Sequence, residues 1–291
     1  MSNTNINHQG QYNVHDAWPA LEPTTAEDCW KQLVRLSFSG KAIECHGAYC
    51  SKWNCIRSTL DIRFGENRIS QQQRASVEST LLESFAKDAE PHLPPEARKH
   101  IEVARLKWKT FHNTGTVFVG RHYGLPTRCV DWTSDPFIAL FFACRRDFKD
   151  PGVVWWMDYD DFSYAISKQW PLVYGKKEKI EDDFEQDFTK GVDREILIRL
   201  HYRCLLDRPN KQKAHIILAG QYDVHHDEEI RRLGVQKCGR IVISSQMKSD
   251  LLTKLDRWGI NSETLAIGHS SVETIATDVA HMHGLTSPII S

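Results

Sequence analysis

The stretch Arg121-His122-Tyr123-Gly124-Leu125-Pro126-Thr127-Arg128-Cys129-Val130-Asp131-Trp132-Thr133-Ser134-Asp135-Pro136, followed by the apolar run Phe137-Ile138-Ala139-Leu140-Phe141-Phe142-Ala143, decides how the rest of the chain is read. Gly124 ends whatever regular element precedes it, and Pro126 fixes its own φ and pushes Leu125 out of the helical region. Residues 127–133 then read as a short strand, because Thr, Val and Trp favour extended backbone. Alternation places Thr127, Cys129, Asp131 and Thr133 on one face and Arg128, Val130 and Trp132 on the other. One of those faces must bury polar groups. Ser134 or Asp135 is a good N-cap and Pro136 suits the first helical position. A helix therefore runs from there to about residue 145 with no face fit for water, which places it at the centre of the fold.

A strand end carrying Asp, Arg and Thr beside a helix N-terminus is a place where ligands bind, since the helix offers unpaired amide donors and partial positive charge. The architectural alternative is a salt bridge between Asp131 and Arg128 that fixes the corner, with Trp132 in the core. Spacing alone leaves both open.

At 291 residues and 41% hydrophobic content, the chain is long enough for one large domain or a domain with a small appendage. Its 37 basic and 38 acidic side chains nearly cancel, which excludes generic electrostatic steering toward nucleic acid. There is no apolar run of about eighteen residues and the N-terminus is polar, so neither a membrane span nor a signal peptide is expected and the protein reads as cytoplasmic. Of the eight cysteines, Cys45, Cys50 and Cys55 recur every fifth residue and no Cys-x-x-Cys pair occurs. That spacing fits thiols in a reducing compartment better than a zinc site using Cys45, His46, Cys50 and Cys55, and no metal is expected. The paired histidines His225-His226 and His281-x-His283 lack matching ligands and read as surface residues.

Residues 1–24 are rich in Asn, Gln, Thr and Pro and read as a flexible arm. Thr25 caps a helix over 26–38. A short strand follows at 53–57, then a helical insert at about 69–112 whose helices cover 71–87 and 95–112. Beyond the quoted stretch, 152–157 is a strand, 158–191 a solvated loop or flap, and 196–206 helical. Residues 214–219 and 241–243 are strands, and 248–258 and 272–283 are closing helices. The whole of 25–291 reads as a single domain.

The quoted block resembles the signature of the FRG-domain family, a His-x-Gly-(apolar)-Pro-Thr-Arg-(apolar)-(apolar)-Asp-Trp-Thr run followed by Pro and an Ala-rich helix. His122, Gly124, Pro126, Thr127, Arg128, Asp131, Trp132, Thr133, Pro136, Ala139 and Ala143 match as they stand. The motif that names the family, Phe-Arg-Gly on an early strand, finds its counterpart at Ile56-Arg57-Ser58, with only the arginine kept. Gly220-Gln221-Tyr222 resembles a third element, with Leu218 where the family carries Gln. The likeness spans roughly residues 45–282.

More distantly, the order Arg57, then Thr133-Ser134-Asp135-Pro136, then Ala139 and Ala143 is similar to ADP-ribosyltransferases of the Arg-Ser-Glu type. The resemblance implies an α+β fold, a small curved or split mixed sheet around a cleft with helices packed outside. It also implies a nucleotide ligand, with NAD as substrate. Arg57, Thr127, Arg128, Trp132 and Ser134 would hold it, the arginine clamping a pyrophosphate, while His122, Asp131 and Thr133 carry the chemistry. A hydroxyl braces the ribose and a carboxylate stabilises oxocarbenium-like charge as the glycosidic bond breaks. No glutamate stands on the late strand, so Asp131 takes that place. Transfer of ADP-ribose to a protein or nucleic-acid acceptor, or cleavage of NAD by a bacterial toxin or defence effector, follows from the likeness. The alternative is a non-catalytic nucleotide- or partner-binding module. A nuclease would need clustered carboxylates that are missing. Neither the acceptor nor the oligomeric state is implied.

Overall fold

The computed structural model describes residues 18–48, 55–64, 69–107, 112–174, 196–200, 207–267, 276 and 279–280. In chain order the elements begin with strand β1 (Ala20–Leu21), helix α1 (Ala26–Ser37), strand β2 (Ile43–Ala48), and helices α2 (Thr59–Phe64), α3 (Gln71–Asp88), α4 (Pro95–Lys107) and α5 (His112–His122). Strand β3 (Cys129–Thr133), helix α6 (Pro136–Cys144), strand β4 (Gly152–Asp158), helix α7 (Tyr159–Tyr174), strand β5 (Leu197–Leu200) and helix α8 (Asp207–Lys211) follow. Strand β6 (Ala214–Ala219), helix α9 (His226–Arg232), strand β7 (Cys238–Ile243) and helix α10 (Lys248–Arg257) complete the set. The fold is α+β, with mixed strand pairing that does not close into a barrel. Contacts cluster in two compact units, one from Met1–Ile56, Trp132–Ala165 and Ile230–Asn261, the other from Arg57–Asp131, Ile166–Glu229 and Ser262–Ser291.

In the first unit the strands run in the order β1-β7-β4-β2-β3, with β1 parallel to β7 and the other pairings antiparallel. Helix α6 packs on this sheet so closely that a Cβ added at Gly47 would collide with the carbonyl oxygen of Ala139, and one at Gly152 with that of Ala143. Small residues on both partners are what allow two backbones to meet at that distance. The apolar sequence of α6 explains its burial: Phe137, Ile138, Leu140, Phe141 and both alanines are withdrawn from water. Past its C-terminus the buried Lys248 ammonium donates to the carbonyl oxygens of Arg146 (3.0 Å) and Asp147 (2.9 Å), tying the start of α10 to the turn that follows α6. Helix α1 starts as expected at Thr25, whose hydroxyl accepts from Asp28 N at 3.1 Å, and buries Cys29, Trp30 and Leu33.

In the second unit α3 opens with a reciprocal capping box between Ser70 and Gln73. Its Leu81, Leu82 and Phe85 pack with Leu93, Ile101, Val117, Phe118, Ile198, Ile216 and Leu218 in one apolar core. Strands β5 and β6 pair antiparallel, with Leu197 opposite Ala219. The amide of Gln169 borrows the edge of β5, accepting from Leu197 N (3.4 Å) and donating to its carbonyl oxygen (3.5 Å).

Several expectations are corrected here. The early strand is β2 rather than 53–57: residues 53 and 54 lie outside the described residues, and 55–58 form no strand. Ile43 and Cys45 bury one face of β2, but its Cys-His-Gly run lacks the β-branched signature that would have marked it. The loop expected over 158–191 begins instead with α7, whose Phe162, Ala165 and Gln169 bury at helical spacing among charges; residues 175–195 lie outside the described residues. The helix expected over 196–206 is a strand at 197–200, the usual ambiguity of a short apolar run, and 201–206 lie outside. Within the arm expected over 1–24, Trp18 is fully buried with its ring edge-on to Trp155 (centroids 5.2 Å apart), and β1 joins the sheet; residues 1–17 lie outside. Of the helix expected over 272–283, only Ala276, Val279 and Ala280 are described, all helical. Among the described residues no helix is long and apolar enough to cross a membrane.

Candidate functional site

Helix α5 ends at His122, and Gly124 turns the chain at φ +91°, a conformation that favours glycine. Leu125 N then donates to Gly120 O (2.9 Å) and its side chain is buried. The His122 ring, itself nearly buried, stands edge-on to Phe118 at 4.5 Å. Thr127 is tied to the start of α2. Its N–H donates to the Thr59 hydroxyl (3.3 Å), that hydroxyl lies equally close to the Thr127 carbonyl oxygen, and Leu60 N donates to the same carbonyl (3.1 Å).

Arg128 does not pair with Asp131. Three residues apart on an extended segment, the two side chains leave on opposite faces. Arg128 is met by the buried Glu78 of α3, whose Oε1 accepts the Arg128 backbone N–H (2.8 Å) and whose Oε2 lies 3.0 Å from Nε. The guanidinium also donates to Gly220 O (3.0 Å) and lies 4.2 Å from the centroid of the Tyr222 ring. Gln71 completes the clasp: its Oε1 accepts from Tyr222 N (2.9 Å) and its amide donates to Asp223. Burial, reinforced by the Glu78 carboxylate, pushes the Tyr222 phenol and the Cys129 thiol far above their ordinary ranges, so both are neutral near neutral pH.

Arg57 meets Asp61, with Nε 2.5 Å from Oδ2 and a second donation to the Asp61 carbonyl oxygen (3.2 Å). Arg74 approaches Oδ1 of the same carboxylate at 3.1 Å, its guanidinium resting over Phe64. Asp131 is held by Arg121, Nη2 to Oδ2 at 2.6 Å, and Arg121 Nη1 donates to the Thr59 hydroxyl (3.0 Å). Thr59, two residues after Arg57, thus links the early arginine to the acid of β3. The Asp131 side chain is 44% exposed, against 16% for Arg121.

In the first unit, the Thr133 hydroxyl accepts from Asp135 N (3.1 Å), and Asp135 Oδ1 accepts from Phe137 N (2.9 Å). Asp135, not Ser134, therefore caps α6, and Ser134 is left exposed. Trp132 is buried, its ring 5.8 Å from that of His46 on β2.

The structure thus gathers Arg57, Thr127, Arg128, Asp131 and His122 in the second unit, and Trp132, Thr133 and Ser134 in the first. Sequence reasoning missed Thr59, Asp61, Arg74, Glu78, Arg121 and His46. Arg121 stood at the head of the decisive stretch, yet only a helix end one turn from the breaker brings it back to Asp131. Glu78 sits fifty residues before its partner on an amphipathic helix, and nothing local announces it. Among the described residues no group of three or more His, Cys, Asp and Glu side chains could hold a metal, and no cysteine is in a disulfide.

These features define an α+β protein in which Arg128, just before the central strand, is held by a buried ion pair to Glu78 of a helix fifty residues earlier. Residues 48–151 match the model of the FRG domain, so the chain carries an FRG domain over that span. No curated protein and no solved structure matches the chain.

Proposed function

We propose that this FRG domain binds a phosphorylated nucleotide, NAD or a close relative, at the guanidinium groups gathered around Asp61 and Asp131. What supports the reading is a set of guanidinium groups held on carboxylates within the second unit: Arg57 and Arg74 on Asp61, Arg121 on Asp131, and Arg128 on Glu78. Guanidinium groups held by carboxylates in fixed orientation are well prepared for bidentate phosphate contacts, and poor solvent screening strengthens the attraction. Arg57 and Arg121 take the phosphates in this reading, with Thr127 and Arg128 holding the frame. The finer reading adds chemistry: cleavage of NAD or transfer of ADP-ribose to a protein or nucleic-acid acceptor. Asp131 would stabilise oxocarbenium-like charge and His122 would move a proton. A toxin or defence effector is the setting such chemistry suits.

A second reading, a binding module without turnover, is favoured by two observations. Strand β6 carries no carboxylate, and Thr127 and Arg128 are engaged in bonds that brace the fold. Calorimetry with NAD and ADP-ribose, beside an assay of nicotinamide release, separates the two. The nucleotide reading expects saturable binding that Arg57→Ala weakens. The enzyme reading further expects turnover that Asp131→Asn lowers about a hundredfold or more. Binding without release leaves the module; no binding of either nucleotide ends the proposal.

A further inference from the structure

Residues 18–21 lie along the outer edge of β7, and the chain continues through Glu22, Pro23 and Thr24 into the cap of α1 at Thr25. Trp18 anchors the segment, fully buried with its ring edge-on to Trp155. Arg240 N donates to Pro19 O at 2.9 Å, and Ala20 and Leu21 pair in parallel register with Arg240 and Ile241. Past the anchor the segment faces water. Ala20 is exposed, and Leu21, at 44%, is one of five large apolar side chains that stand exposed among the described residues. The two ends of the connection lie on opposite faces of the sheet. Gly47 pairs with Val154 beneath α6, so Trp155 points to the other face and Trp18 with it, whereas α1 packs on α6, where Trp30 meets Phe137 at 4.7 Å. Three residues therefore carry the chain around the sheet edge.

A segment seated by one buried ring and one short ladder at a sheet edge fits the same seat on an identical chain equally well, because every contact is reproduced there. The connection decides between the two. Pro23 fixes its own φ and holds Glu22 in extended backbone, which favours a connection that runs outward over one that turns back around the edge. We propose that the edge of β7 and the ring of Trp155 form a docking surface for residues 18–21 of a second copy of this chain, two copies exchanging these strands about a two-fold axis. A connection of three residues spans only about 10 Å, so the exchange brings the two β7 edges together. The Leu21 side chains then leave water. The closed pair leaves neither β7 edge open, which is what an edge strand rich in Ile and Val requires. All of these residues belong to the first unit, so the exchange does not depend on the nucleotide reading above.

The test is sedimentation equilibrium of the full chain over a wide range of concentration, beside variants of the connection. The chain should form a dimer that dissociates on dilution. Deletion of Thr24 should tighten the dimer about tenfold, because a shorter connection cannot close on its own sheet, and insertion of four Gly and Ser residues between Pro23 and Thr24 should weaken it about tenfold. Trp18→Ala removes the anchor from both copies and should abolish the dimer. A chain that stays monomeric at every concentration overturns the proposal, as does association that continues past two copies. A dimer whose dissociation constant ignores the length of the connection also overturns it, since a contact between two closed surfaces would not sense that length. Where Trp18→Ala fails to fold, the two connection variants decide.

Discussion

Glu78 grips Arg128 at two points, accepting its backbone N–H at 2.8 Å and facing its Nε at 3.0 Å, with side chains only 2% and 1% exposed. The pair joins α3 to the strand end of the signature, and Arg128 extends the link to Gly220 and Tyr222. Removing one member leaves the other charge buried, so Arg128→Met or Glu78→Leu alone should lower stability by about 3–5 kcal/mol. The double variant should recover part of that loss. Denaturant unfolding of the three proteins checks this; additive losses would show that the pair is not coupled.

Gly47 and Gly152 fix how closely α6 approaches the sheet. The opposing atoms are backbone carbonyl oxygens of Ala139 and Ala143, which no rotamer change can move aside. Gly47→Ala and Gly152→Ala should each destabilise by about 1–3 kcal/mol as helix and strands are forced apart. Trimming the facing alanines to glycine should bring little rescue, because the nearest opposing atoms are carbonyl oxygens and the Ala143 Cβ lies farther off, 3.3 Å from a Cβ built at position 152. Melting temperatures of the single and paired variants supply the measurement.

Asp135 caps α6 through Phe137 N and receives orientation from Thr133. Asp135→Ala should cost about 1 kcal/mol, and Asp135→Asn or Asp135→Ser much less, because only an acceptor oxygen is required at that position. Thermal unfolding of the series tests the cap directly. Equal losses in all three variants would point to a role other than capping.

Alkaline pH should destabilise the protein. Burial pushes the thiols of Cys29 and Cys144 up to about 12 from an ordinary value of 9.0. Both are neutral acids in the folded state, so their contribution is complete below the unfolded pKa. Between about pH 9 and 12 the unfolded chain loses those protons while the folded chain keeps them, and stability falls by up to about 1.4 kcal/mol per pH unit for each group. Urea midpoints measured across that range should decline, and Cys29→Ala or Cys144→Ala should flatten the decline even if each lowers the starting stability.

Much of the central corner was readable in order along the chain. The breaker at Gly124 and Pro126, the strand into Thr133, the cap at the head of α6 and that helix's burial all rest on interactions within a few residues, where sequence and conformation are directly coupled. The helix at 26–37 was legible through its Thr25 cap and apolar side, and the one at 71–88 through its apolar stripe. The early strand was not. Gly47 of β2 is required by a helix ninety residues later, and nothing beside it in sequence reveals that contact.

By itself, the amino-acid order determined the α+β character, the family signature and the location of the buried helix, since local propensity and polarity settle those before any long-range contact forms. Only the tertiary structure decided who pairs with whom. Arg128 found Glu78, Asp131 found Arg121, Arg57 found Asp61, and His46 came to stand between two tryptophans. Charge partners and cross-strand neighbours are selected by distance in space and by strand register, and neither is encoded in the spacing of residues along the chain.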